Sequence, residues 1–148
     1  MREITYRDIM IRDLANLNRW KFAINQAVEE LETLNAEFAA IKATNYDKMP
    51  VGSGENTQEE RLVTAIAKKD QKEAELAFNR RRVADIERLL SQLPDEERLA
   101  IEMTIISKDQ PVDSVADELG YEVRNVYRLR NNGLKRLCQL RHGAAYQP

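Results

Sequence analysis

The sequence predicts an all-α protein, in which a long, coiled-coil-like antiparallel helical hairpin precedes a small three-helix domain containing a helix-turn-helix. Residues 6–44 contain neither Gly nor Pro and repeat apolar side chains every seven positions. A loop with Gly and Pro at about 45–56 separates them from a second long stretch. After Pro94 the patterns become those of short helices. The expected parts are a hairpin over 1–93, a helix-turn-helix domain over 94–142 and a flexible tail over 143–148.

Two rows of apolar side chains run along the first stretch. The first row is Met10, Leu17, Ile24, Leu31 and Phe38, and the second is Trp20, Ala27, Leu34 and Ile41. Alternating spacings of three and four form the seam of a coiled coil or an antiparallel helix pair, and Asp13 interrupts that seam near its start. The stripe also includes Leu14 and Val28, which makes it wider than the second helix can cover. We therefore expect self-association, most simply as a dimer.

The second long helix is expected to begin at Thr57, because Thr57 followed by Glu60 is a capping-box pattern. It continues to about Gln92, and polar residues interrupt its apolar row at Lys69, Lys72 and Asn79. Both helices have similar lengths and one loop joins them, so antiparallel packing is the simplest arrangement. Leu93-Pro94 marks the boundary, since a residue before proline is biased out of helix.

The segment Val112–Asn131 has the pattern of a helix-turn-helix. Pro111 begins its first helix and Gly120 ends it, because glycine tolerates the positive φ of a tight turn. The second helix is expected from Glu122 to about His142. The side chains expected to pack these two helices together are Val115, Ala116, Leu119, Val126 and Leu129.

Basic residues are concentrated after this turn. From Glu122 onward six Lys and Arg residues accompany a single acid, which gives a net charge of +5, and binding to phosphates requires such a concentration. Arg can pair bidentately with guanine and Asn with adenine. Lys135 lies further along, where the helix should run beside the DNA backbone. The predicted DNA-binding residues are Arg124, Asn125, Tyr127, Arg128, Asn131 and Lys135.

Three segments carry a resemblance to a known family: Leu93–Arg98 (LPDEER), Val115–Tyr121 (VADELGY) and Val126–Leu129 (VYRL). They resemble the C-terminal promoter-reading domain of sigma factors. Over residues 15–140 the chain is similar to the sigma-like phage transcriptional regulators of the ArpU/RinA type. In that family a helical hairpin with a Met-Pro, Gly-rich loop precedes the helix-turn-helix, and Met49–Gly54 matches this loop.

The chain departs from that family at Glu122, where a Ser usually caps the recognition helix, and at Val112, where an aromatic residue often opens the preceding helix. The resemblance implies control of phage late, packaging or lysis genes.

Other chemistry-bearing residues form no recognisable catalytic or metal site. Cys138 is the only cysteine, and His142 four positions later makes two ligands, which is fewer than a zinc site needs. We expect no enzymatic activity, no cofactor and no metal. A lone cysteine fits a reducing compartment, and the chain has neither a long apolar run nor an apolar N-terminal stretch. These features predict a cytoplasmic location.

The leading interpretation is a transcription regulator that binds double-stranded DNA and meets itself, or a partner such as RNA polymerase, through the hairpin. An alternative is the small terminase subunit of phage DNA packaging, which also joins a helix-turn-helix to oligomerising helices but usually carries the DNA module first. A third is a coiled-coil assembly protein without nucleic-acid binding, which the basic last helix disfavours.

Overall fold

The computed structural model describes residues 3–47 and 53–147. Within these ranges every regular element is helical, which confirms the predicted all-α fold. The elements are α1 (Tyr6–Asp47), α2 (Ser53–Ser91), α3 (Asp95–Ile101), a π-helical turn (Glu102–Ile106), α4 (Val112–Leu119), α5 (Val123–His142) and a 3-10 turn (Gly143–Ala145). No helix in these ranges is both long and apolar enough to cross a membrane.

The chain divides into two compact units, and the division does not follow the boundary expected at Pro94. The first unit combines Met1–Trp20 with Arg82–Pro148, and the second is Lys21–Arg81. The two segments of the first unit meet where the guanidinium carbon of Arg82 lies 3.8 Å from the Trp20 ring centroid. The first unit thus contains the start of α1, the end of α2 and all the short helices.

The start of α1 is fixed by a capping box that involves Thr5 and Asp8. The Asp8 amide donates to Thr5 Oγ1 over 3.2 Å, and the Thr5 amide donates to Asp8 Oδ2 over 3.0 Å. These two bonds satisfy N–H groups that have no partner inside the helix. The ring of Tyr6, the first residue of α1, stacks on the His142 ring with centroids 4.1 Å apart. The start of α1 therefore contacts the end of α5.

The core of the first unit includes three apolar residues from the start of α1. Met10 and Leu14 are completely buried, and Leu17 is 2% exposed. Leu14 therefore adds nothing to an intermolecular surface, and the part of the self-association argument that depended on Leu14 was wrong. Val28, the other residue in that argument, lies in the second unit and is half-buried.

In the second unit α1 and α2 run antiparallel, as predicted. Two contacts show this direction. Glu30 Oε2 lies 2.7 Å from Lys72 Nζ. The Phe38 ring centroid, nearer the C-terminal end of α1, lies 5.8 Å from Lys69 Nζ, which is nearer the N-terminal end of α2. Lys72, which interrupts the apolar row in the sequence, thus forms an ion pair across the hairpin. The hydrogen bond with Glu30 raises the pKa of Lys72.

Both long helices extend further toward their connection than predicted. α1 continues to Asp47 and α2 begins at Ser53, so Thr57 lies inside α2 and the expected helix start at Thr57 was wrong. The first turn of a helix tolerates Ser and Gly, because its N–H groups have no intrahelical partners there. Met49–Gly52, which form most of the predicted Met-Pro, Gly-rich loop, lie outside the described residues.

Gly133 lies where α3 and α5 cross closely. A Cβ at this position would be 2.5 Å from Ile101 Cδ1 and 3.4 Å from Glu97 Cβ. Just after Ile101, α3 widens into the π-helical turn, in which the Ser107 amide donates to the Glu102 carbonyl over 2.8 Å. The close approach explains why a poor helix former occupies the middle of α5.

Candidate nucleic-acid interface

The turn between α4 and α5 has the geometry of a Schellman motif. Gly120 adopts a left-handed conformation with φ of 72°. The Tyr121 amide donates to the Ala116 carbonyl over 2.9 Å, and the Gly120 amide donates to the Asp117 carbonyl over 3.3 Å. These bonds satisfy carbonyls at the end of α4, and they confirm Gly120 as the residue that ends this helix.

A small apolar core holds α4 and α5 together. Val115, Ala116 and Val126 are at most 2% exposed, and the partly buried side chains packed against them are Met103, Val112, Leu119 and Tyr121. Leu129, one turn after Val126, is also buried. The predicted packing of Val115, Ala116, Leu119 and Val126 is therefore confirmed, and it fixes which face of α5 points away from α4.

The opposite face of α5 carries a polar stripe. Arg124, Arg128, Asn131 and Lys135 follow one another at intervals of three or four residues, so they share one side of the helix. All four are exposed, as is Tyr127, while Asn125 is half-buried. Glu122 precedes the first turn with extended backbone and forms no side-chain capping bond. The structure thus brings the six residues predicted from the sequence onto one helix, with five of them facing solvent.

Arg128 is held by Asn125. The Oδ1 atom of Asn125 accepts hydrogen bonds from Arg128 Nη2 over 2.6 Å and from Nε over 3.1 Å. Pairing with adenine needs an amide that accepts and donates together, and here the acceptor of Asn125 is engaged. In this geometry Asn125 positions Arg128. The remaining N–H groups of the guanidinium, on Nη1 and Nη2, can still donate side by side to another molecule.

Tyr127 and Arg130 form a second local pair on α5. The guanidinium carbon of Arg130 lies 4.8 Å from the Tyr127 ring centroid, which is a cation–π distance. Tyr127 is 41% exposed, so part of its ring remains available for contact with another molecule.

Asn131 is bound by a residue that sequence reasoning missed. Arg7 Nη2 of α1 donates to Asn131 Oδ1 over 2.9 Å. Arg7 and Asn131 also line an open groove of about 780 Å³ together with Lys135, Ile4, Tyr6 and Tyr146. No local pattern relates Arg7 to Asn131, because 124 positions separate them. The proximity of Arg7 and α5 arises only from the tertiary fold.

Two of the six basic residues after the turn form ion pairs with other helices. Arg136 Nε lies 2.9 Å from Glu97 Oε2 on α3, and the Glu97 side chain is 7% exposed. Arg141 Nη1 lies 2.9 Å from Asp13 Oδ2 on α1. These pairs hold α5 in the first unit, and Arg130 is half-buried beside Tyr127. The basic surface on the outer side of α5 therefore consists of Arg124, Arg128 and Lys135, with Arg7 beside them.

Cys138 is completely buried, and burial raises the pKa of its thiol, while the charges of Arg141 and Arg7 act in the opposite direction. The described part of the chain contains no group of three or more His, Cys, Asp or Glu residues that could hold a metal ion.

Within the described residues the fold is all helical, and the helix that follows the turn at Gly120 presents a basic face to solvent. Comparison of the chain with family models, curated proteins and solved structures finds no match.

Proposed function

We propose that this chain is a sequence-specific transcription regulator that binds double-stranded DNA by inserting α5 into the major groove. The observation that carries the proposal is the polar stripe Arg124–Lys135 on the side of α5 opposite the buried Val126 and Leu129. A major groove about 12 Å wide admits a single helix. Because the opposite side of α5 packs against α4, the stripe is the side of α5 that can enter the groove.

The side chains near the start of the stripe suit contacts with bases, and the side chain at its end suits contact with the DNA backbone. Arg128, oriented by Asn125, can offer two parallel donors to guanine O6 and N7. Lys135 lies nearly two turns later and is a point charge that suits a phosphate. Ion pairs to Glu97 and Asp13 anchor the same helix on its inner side, which limits its movement.

The hairpin is the proposed self-association surface. Among the described residues of the second unit, Phe22, Val63, Ile66 and Phe78 are large apolar side chains exposed to solvent. A twofold dimer formed through this unit would present two copies of α5 to two half-sites. The resemblance to sigma-like phage regulators further suggests a cytoplasmic phage or prophage protein that controls late, packaging or lysis genes, with RNA polymerase as a further partner.

The same exposed apolar side chains also suit the second candidate, a small terminase subunit. Such a protein forms rings, whereas the regulator is expected to be a dimer. Mass measurement by light scattering separates the two, because a ring of many subunits favours the terminase.

Selection of bound sites from random duplex DNA tests the proposed function. The wild-type chain, an Arg128→Ala variant and an Arg19→Ala variant are run in parallel, with and without RNA polymerase. Arg19 is exposed on α1 and matches the charge change at Arg128. We expect wild type and Arg19→Ala to enrich the same site, and Arg128→Ala to lose preference at one base pair. Failure of the wild-type chain to enrich any sequence would contradict the proposal.

A further inference from the structure

We infer that Arg7 of α1 contacts the sugar–phosphate backbone beside the groove that α5 enters, so that the DNA interface combines the first and last long helices of the first unit. The inference rests on the proposed function. It adds to the interface a residue that lies outside the helix-turn-helix.

Arg7 is continuous with the polar stripe on α5. Arg7 is exposed, and its Nη2 atom bonds directly to Asn131, which belongs to the stripe. Lys135 is exposed one turn beyond Asn131 and lines the same groove as Arg7. A backbone strand that follows the edge of the major groove past Asn131 therefore meets Lys135 from α5 and Arg7 from α1.

The hydrogen-bonding character of this cluster is a further argument. The Oδ1 atom of Asn131 accepts from Arg7, which leaves the Nδ2 amino group as a donor. A guanidinium has five N–H donors and an ammonium three, and neither has an acceptor. Arg7, Asn131 and Lys135 thus offer donors, whereas adenine recognition also needs an acceptor. Phosphate oxygens only accept, so the cluster suits a phosphate and does not suit an adenine edge.

The charge balance of the groove supports an anionic occupant. Among the described residues, its lining contains two cations, Arg7 and Lys135, and one carboxylate, the exposed Glu3. Asp8, the first acidic residue on α1, already accepts hydrogen bonds from Thr5 in the capping box. A phosphodiester that lies between Arg7 and Lys135 would neutralise part of this positive charge.

The test measures the affinity of the full chain for its selected duplex over a range of salt concentrations, by fluorescence anisotropy. Arg7→Ala is compared with Arg19→Ala, which removes the same charge from the same helix. Each phosphate contact contributes about 0.9 to the slope of log affinity against log salt. We expect Arg7→Ala to lower that slope by about one, so that its affinity deficit is about 3–4-fold larger at 50 mM than at 200 mM salt. Arg19→Ala should keep the wild-type slope.

Two further measurements make the result specific. Arg7→Lys should recover most of the slope, because it restores the charge. Ethylation of single phosphates should interfere with wild-type binding at one position that no longer matters for Arg7→Ala. Circular dichroism melts check that each variant remains folded.

Different outcomes separate the inference from the proposed function. If wild type binds a selected site and Arg7→Ala retains both its slope and its interference pattern, Arg7 lies outside the interface and the inference is wrong, while the proposed function stands. If the wild-type chain binds no duplex DNA, both are wrong.

Discussion

Arg141 Nη1 of α5 lies 2.9 Å from Asp13 Oδ2 of α1, and the two side chains are only 23% and 16% exposed. Asp13 occupies the position in the second row of the first-helix seam where an apolar residue is expected. The ion pair explains that interruption, because the start of α1 packs with α5 in the first unit and meets a cation there.

Breaking this pair should destabilise the protein. Arg141→Met leaves a half-buried carboxylate without its nearest partner, at an expected cost of about 1–3 kcal/mol in the free energy of unfolding. The double variant Asp13→Leu/Arg141→Met restores an apolar seam and should be more stable than Arg141→Met alone, with a coupling of about 0.5–3 kcal/mol. Urea denaturation measures Arg141→Met, Asp13→Leu and the double variant, with Arg19→Met as the exposed control. Additive effects of the two changes would show that the pair does not interact.

Gly133→Ala should destabilise the first unit even though alanine favours helix. The added Cβ would lie 2.5 Å from Ile101 Cδ1, and overpacking of about 1–3 kcal/mol opposes a propensity gain of about 1 kcal/mol. We expect a net loss of about 1 kcal/mol, measured by thermal denaturation. Ile101→Val removes the clashing atom, so Gly133→Ala/Ile101→Val should be more stable than Gly133→Ala. Asn132→Ala, on the exposed side of α5, controls for propensity. A stabilising Gly133→Ala would mean that α3 and α5 cross less closely.

Gly120→Ala tests the turn through backbone strain alone, because a Cβ there has no atom within 4 Å. The left-handed φ of 72° should cost alanine about 1–2 kcal/mol in the free energy of unfolding. Gly120→Asn should cost less, since Asn enters this conformation more readily. Chemical denaturation of both variants gives the comparison, and equal stability of wild type and Gly120→Ala would refute the expectation.

Arg128 and Lys135 should differ in how they affect DNA affinity. Arg128→Ala should cost about 1–3 kcal/mol on the preferred site and relax the choice at one base pair, as a bidentate base contact predicts. Lys135→Ala should weaken all sequences about equally and lower the salt slope by about one. Asn125→Ala should retain the preference for the selected site and should lose less affinity than Arg128→Ala, because it removes only the partner that orients Arg128. Fluorescence anisotropy on selected and unrelated duplexes measures all three. A uniform, salt-sensitive loss for Arg128→Ala would show that another face of α5 reads the bases.

Cys138 should make stability fall at alkaline pH. Burial raises the pKa of this thiol in the folded state, so the folded chain holds its proton more tightly than the unfolded chain. The resulting contribution to stability is complete below the ordinary thiol pKa and is lost as pH rises through the higher folded value. Cys138→Ala should therefore show a shallower decline in stability above pH of about 8.5. Parallel declines for wild type and Cys138→Ala would contradict this linkage.

Periodicity and turn chemistry predicted the helices and the packing of α4 on α5, because both depend on residues close in sequence. Gly120, Val115 and Val126 occupy positions whose steric roles can be deduced from a short segment. Tertiary pairs such as Arg7–Asn131 and Asp13–Arg141 span more than a hundred positions, and no periodic pattern encodes them. For the same reason the sequence could not show that the start of α1 belongs with α5.

The discontinuous first unit determines the order in which the chain can fold during synthesis. Residues 21–81 belong to a hairpin whose two helices are made in succession, whereas Met10 and Leu14 are made 128 or more positions before the end of α5. At ribosomal rates of about 5–20 residues per second, this separation corresponds to about 6–26 s. During that interval the apolar start of α1 has no α5 to cover it. The hairpin should form first, α5 should be secured last, and nascent chains that stall before α5 should be the species most prone to aggregate.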